Sequence, residues 1–139
     1  MSSTVGHSLM VNHPFATQRF KQAHQNLEKI TESLTTGNLE KFISIVESEA
    51  LTLHSMMMTS NPYFILMKPN TLQIIEKVWE FRKETSLPIC FTLDAGANVH
   101  LLYPEFVKLE ILNFIENELT LFCENNSYIC DSLGLGAYQ

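Results

Sequence analysis

Asp94 is the residue in this chain best placed to do chemistry. It closes the apolar run Ile89 to Leu93 and directly precedes Ala95-Gly96. Reacting groups often sit at such strand ends, held by a rigid sheet and open to a ligand. A carboxylate there can accept a proton or orient a hydroxyl. The ordinary alternative is a turn aspartate that accepts hydrogen bonds from its own backbone neighbours. Residue type and position alone favour that alternative.

Other chemistries find less support. His7, His13, His24, His54 and His100 lack the i, i+4 spacing that puts two ligands on one helix face, and no CxxC pair completes a zinc site. Most read as surface or capping residues. Cys90, Cys123 and Cys130 form neither an even disulfide framework nor a redox pair, and none has a neighbouring histidine to mark it as a thiolate. No Gly-x-Ser-x-Gly elbow is present. The five glycines never cluster ahead of a helical pattern. A self-contained ATP site, which needs convergent backbone N–H groups at a helix start, is therefore not expected.

The elements that must position Asp94 follow from periodicity. Pro14 marks a helix start, and Phe20, Ala23, Leu27, Ile30 and Leu34 recur at helical spacing, which predicts one buried face. Gly37 ends that helix and Asn38 caps the next, whose Leu39, Phe42, Val46, Ala50 and Leu53 are again in phase. The two form an antiparallel hairpin. His54 to Asn70, with Met56, Met57, Met58, Asn61-Pro62 and Pro69, reads as a departure from the helix. The methionines read as gap filler.

A third helix, capped by Asn70 or Thr71, turns Leu72, Ile75, Val78 and Trp79 inward and ends near Ser86. Ile89 to Leu93 and Asn98 to Tyr103 then read as a β-hairpin about Ala95-Gly96-Ala97, with Gly96 supplying freedom at the turn. Pro104 and Glu105 open a fourth helix to about Phe122, with Phe106, Leu109, Leu112 and Ile115 buried and Asn125-Asn126 ending it. Ser127 to Cys130 is expected to return as a third strand. This order predicts an α+β fold with helices packed on one face of a small, mostly antiparallel sheet.

Composition narrows the function. At 139 residues and 45% hydrophobic content, residues 1–139 suit a single domain. The net charge of −6, with 17% charged residues, offers no footprint for a phosphate backbone, so no nucleic-acid partner is expected. Arg19, Lys21, Lys29, Lys41, Lys77, Arg82 and Lys83 read as solvated helix faces. Apolar stretches stop well short of the ~20 residues of a membrane span. No basic-then-apolar leader opens the chain, and a reducing, cytoplasmic setting fits the cysteines.

Three segments carry a family resemblance. Phe91-Thr92-Leu93-Asp94-Ala95-Gly96-Ala97-Asn98 is similar to the Phe-Thr-x-Asp-Ala-Gly-Pro-Asn stretch of diphosphomevalonate decarboxylases, in the GHMP kinase superfamily. Ser2-Ser3-Thr4-Val5-Gly6 resembles the segment by which that family's chain enters its second domain. Leu53-His54-Ser55 with Asn61-Pro62-Tyr63-Phe64 resembles the intervening His-Ala-Thr and Pro-Pro-Phe region. Asp-Ala-Gly alone is a weak signal. Three segments in the right order and separation are a strong one.

The resemblance implies ATP- and Mg2+-dependent conversion of mevalonate 5-diphosphate to isopentenyl diphosphate, with loss of phosphate and carbon dioxide. By that resemblance Asp94 is catalytic, positioning or deprotonating the tertiary 3-hydroxyl, and Ser3 and Thr4 contact the diphosphomevalonate. Family members are commonly homodimers, a point on which the helix faces are silent. Ala97 departs from the family's proline and should loosen the turn. His7 departs from its usual methionine. The family's phosphate loop and substrate-binding lysine and arginine lie upstream of the part matched here. Met1 followed at once by Ser2-Ser3, mid-motif, leads to the expectation of an excised C-terminal domain that is inactive without its N-terminal half. The alternatives are a decarboxylase or 3-kinase acting on mevalonate or mevalonate 5-phosphate, and a non-catalytic dimerisation or regulatory domain.

Overall fold

The computed structural model describes residues 9–134. Among them, four helices pack on a two-stranded antiparallel sheet, in agreement with the α+β expectation. Helix α1 (Ala16–Thr36) stops at Gly37, whose φ of 70° is left-handed and cheapest for glycine. Asn38 then caps α2 (Leu39–Met58), its side chain accepting from the Lys41 N–H at 2.9 Å. The hairpin is antiparallel: Glu49 meets Arg19 and Asn26, while Glu32 near the end of α1 meets Lys41 at the start of α2.

The face by which α1 packs is not the apolar one. Phe20, Leu27 and Leu34 are exposed, Ala23 and Ile30 half-buried, and the buried line is Ala16, Asn26 and Ser33. Periodicity shows which residues share a face, but not what lies opposite it. Here the seam with α2 is built from charge and amide groups. Arg19, expected on a solvated face, is drawn into that seam by Glu49.

Helix α2 also runs further than expected, because methionine is a good helix former and no breaker precedes Asn61-Pro62. His54, Met56 and Met57 are therefore buried helical residues. His54 continues the line Val46, Ala50, His54 at four-residue steps, the face turned to the sheet.

Helix α3 (Pro69–Thr85) buries Thr71, Ile74, Ile75 and Val78, whereas Leu72 and Trp79 are partly exposed. The hairpin pairs β1 (Cys90–Leu93) with β2 (Val99–Leu102) in the register Phe91↔Leu101 and Leu93↔Val99. Those four side chains share one face and join Ile75, Val78, Ile111 and Phe114 in the core. Full burial of a residue such as Phe91 contributes about 1.5–3 kcal/mol.

After β2, a 3-10 turn (Glu105–Val107) leads into α4 (Lys108–Phe114), which continues as a π turn (Ile115–Leu119) and a 3-10 turn (Thr120–Phe122). Its buried line is Val107, Ile111, Phe114, Ile115 and Leu119, leaving Phe106 and Leu109 exposed and Leu112 half-buried. This segment is apolar on more than one line, so periodicity alone could not choose the face. Asn125 and Asn126 take left-handed φ values of 54° and 52°. Ser127 to Cys130 does not form the expected third strand, having no ladder partner among the described residues. Among those residues, no helix is long and apolar enough to cross a membrane.

At the Ile89 end of β1 lies an ion pair between buried Glu47 and half-buried Arg82. Glu47 accepts from Arg82 Nη1 at 2.6 Å and Nη2 at 2.9 Å, and from Trp79 Nε1 at 2.9 Å. Arg82 Nη1 also donates to the Ile89 carbonyl at 2.7 Å. Arg82 is thus a tie between α2, α3 and β1 rather than a solvated cation.

Candidate active site

The turn that joins β1 to β2 carries Asp94 at its start and Asn98 at its end. The Asp94 side chain is 42% exposed. Its Oδ2 accepts from Asn98 Nδ2 at 3.1 Å and lies 3.8 Å from His100 Nε2. No hydrogen bond to Oδ1 forms among the described residues. Oδ1 sits over Gly96, where a Cβ would come within 2.8 Å of it. Gly96 has no positive φ, so it serves here by making room for the carboxylate rather than by an unusual backbone angle.

The backbone beneath the carboxylate is held from the protein interior. His54, 1% exposed, places Nε2 3.0 Å from the Asp94 carbonyl oxygen. A carbonyl can only accept, so this nitrogen carries the proton. Thr71, 2% exposed, takes the Lys68 N–H at its hydroxyl oxygen and donates its own proton to the Ala97 carbonyl at 2.9 Å. This bond holds Ala97 by its carbonyl, which a proline at that position would equally offer. His54 and Thr71 were missed as site residues because their partners lie 40 and 26 positions away in the chain. The available signal was His54 falling in line with Val46 and Ala50.

Of the residues singled out in the sequence, Asp94 stands in this cluster. Ser3, Thr4 and His7 lie outside the described residues. His13 is buried, its Nε2 bonded to Thr59 Oγ1 at 3.0 Å and its Nδ1 accepting the Phe15 N–H, and so ties the entry of α1 to the end of α2. Among the described residues no group of three His, Cys, Asp or Glu side chains could hold a metal. No glycine cluster opens a helix there. Among the described residues this donor set does not fit ATP and Mg2+.

Residues 1–132 match the family model of the mevalonate 5-diphosphate decarboxylase C-terminal domain. The chain belongs to this family. A curated phosphomevalonate decarboxylase from Haloferax volcanii is 24% identical over 83 residues, which cover 60% of this chain and 26% of the relative. The structure of mevalonate pyrophosphate decarboxylase from Streptococcus pyogenes superposes with a TM-score of 0.79 at 29% identity, covering 84% of this chain and 37% of that one. The Enterococcus faecalis mevalonate diphosphate decarboxylase, described in terms of ATP binding mediated by mevalonate diphosphate, gives 0.79 at 24% identity over 84% and 36%. This C-terminal domain thus spans about a quarter of the curated relative and little over a third of the two solved ones.

Proposed function

We propose that this domain is the substrate-side part of an ATP-dependent decarboxylase that converts mevalonate 5-diphosphate to isopentenyl diphosphate in the cytoplasm. Asp94 is its reacting carboxylate. The observation that carries this reading is a carboxylate 42% exposed among the described residues, standing at a strand end on a backbone pinned by buried donors. A carboxylate so placed can accept the hydrogen bond of a tertiary hydroxyl and orient it for in-line attack on a phosphoryl group. Its negative charge also favours a cationic carbon as phosphate departs. Ser3 and Thr4 add hydroxyl donors for the substrate's anionic oxygens.

ATP and Mg2+ belong, in this reading, to a nucleotide-binding N-terminal half, and the enzyme works as a homodimer of such two-part chains. The 139 residues alone are inactive, because positioning and neutralising a triphosphate requires groups they lack. A second reading, mevalonate 5-phosphate as substrate, is favoured by the Haloferax relative, described as a phosphomevalonate decarboxylase.

The test is ATP-dependent release of carbon dioxide from mevalonate, its 5-phosphate and its 5-diphosphate, with and without an upstream nucleotide-binding half. Turnover of the 5-diphosphate only in the two-part protein is expected. Preference for the 5-phosphate selects the second reading, and turnover by the 139 residues alone overturns the division of the site.

A further inference from the structure

Asp94 and Ala97 bracket the reacting turn, and each presents its carbonyl to a buried side-chain donor from a different helix. Both carbonyls lie beyond the last ladder pair, Leu93↔Val99, so the sheet does not hold them. His54 reaches the first from the last turns of α2, and Thr71 reaches the second from the first turn of α3. Each donor is itself nearly inaccessible to solvent, so water does not compete for it. The two ends of a short segment are thereby fixed relative to the core, while the carboxylate that Asp94 carries at the first end remains 42% exposed among the described residues.

We propose that His54 and Thr71 are positioning residues for this site: together they hold the backbone of the Asp94–Ala97 turn so that the carboxylate meets the substrate hydroxyl in a reactive geometry. The inference rests on the reading of Asp94 as the reacting carboxylate. Neither residue touches substrate. Their effect is on the fraction of bound complexes in which the carboxylate is aligned, and small displacements of a reacting group are costly in rate. The signature of such a role is a fall in kcat with KM little changed.

The fold of each variant, read by near-ultraviolet circular dichroism, and its kinetics are measured in the full-length protein. His54→Met and Thr71→Val delete the donors at similar volume. His54→Gln and Thr71→Ser keep a donor of similar reach. The deletions are expected to lower kcat at least about tenfold with KM within about twofold, the order that misplacement of a reacting group produces. The conservative variants should recover to within about threefold. Folded deletion variants with unchanged kcat, or conservative variants as impaired as the deletions, overturn the proposal.

Asp94→Asn in the same protein separates the two readings. Full turnover there overturns the role of Asp94 itself, whereas loss of turnover in Asp94→Asn with unaffected deletion variants overturns only the positioning role. Should the deletions fail to fold, nitrogen-15 resonances of the wild-type protein decide. His54 must carry its proton on Nε2, and a neutral ring protonated on Nδ1 alone overturns the proposal.

Discussion

Strand β1 has a carboxylate near each end, and the two are used in opposite ways. Near Ile89, Glu47 receives three N–H donors from Arg82 and Trp79 and is 8% exposed. Past Leu93, Asp94 receives one side-chain amide among the described residues, and its side chain is 42% exposed. Helix α2 serves both ends. It carries Glu47 itself and, seven residues on along the same face, the imidazole that holds the Asp94 backbone. A buried carboxylate with a donor on each oxygen can tie elements together but has little to offer a ligand. One whose backbone is fixed and whose oxygens are not can do chemistry.

The sharpest break in that comparison is Asp94→Asn. In the full-length enzyme it should lower kcat by about 10³-fold, within the range of general acid–base contributions. Stability should change by no more than about 0.5 kcal/mol, as for a surface substitution. Carbon dioxide release and thermal melting measure the two. An active Asp94→Asn protein would return Asp94 to being a turn residue and favour a non-catalytic domain.

Glu47→Ala should show the reverse pattern. It leaves the half-buried Arg82 guanidinium without its carboxylate and Trp79 Nε1 without its acceptor, at a cost of about 1–3 kcal/mol, below that of a fully buried pair. Urea unfolding should show that loss, while kcat per folded molecule stays within about twofold of wild type. A larger fall in kcat would mean that the two ends of β1 are coupled through α2.

The two ends also differ in how much of them the sequence disclosed. The helix hairpin was legible because Gly37 and Asn38 act within a few residues of where they stand. The β-hairpin was legible because alternation and the Ala95-Gly96-Ala97 turn are local; that pattern put Asp94 at a strand end, while its reading as a reacting group came from the family resemblance. His54, Thr71 and Arg82 were not legible, because what fixes each of them is a partner on another element. The exposed Phe20, Leu27 and Leu34 line on α1 fails for the same reason: phase was read correctly, the opposing surface was not. Ser127 to Cys130 has the composition of a strand, yet a strand exists only where the chain lies along a sheet edge, and among the described residues this segment pairs with neither edge.

Gly96→Ala tests the open end more gently. Its new Cβ would stand 2.8 Å from Asp94 Oδ1, closer than real Cβ contacts come, so the carboxylate must turn aside. The exposed side chain can move, and the fold should survive. A fall in kcat of about tenfold is expected, the scale at which misplacement of a reacting group is felt. Unchanged kinetics would mean that the Asp94 rotamer over Gly96 is not the reactive one.

The closed end makes a smaller prediction, in pH. Cys90 sits beside the Glu47–Arg82 pair, 1% exposed, and burial, helped by the charge of Glu47 and opposed by Arg82, pushes its thiol up to about 12 from an ordinary 9.0. Between these values the unfolded chain has lost a thiol proton that the native state still holds. The native state therefore binds more protons, and its stability falls as pH rises through that window. Cys90→Ala removes this component and leaves the tyrosines and lysines that titrate in the same range untouched. Urea midpoints at pH 8 and pH 10.5 should consequently fall further in wild type than in the variant. In Glu47→Gln the Cys90 thiol should ionise at lower pH, since a neighbouring negative charge is gone while Arg82 remains. Equal pH dependence in wild type and Cys90→Ala would show that this end of the strand opens to water, and that the contrast between a sealed and an open carboxylate is weaker than the static geometry makes it.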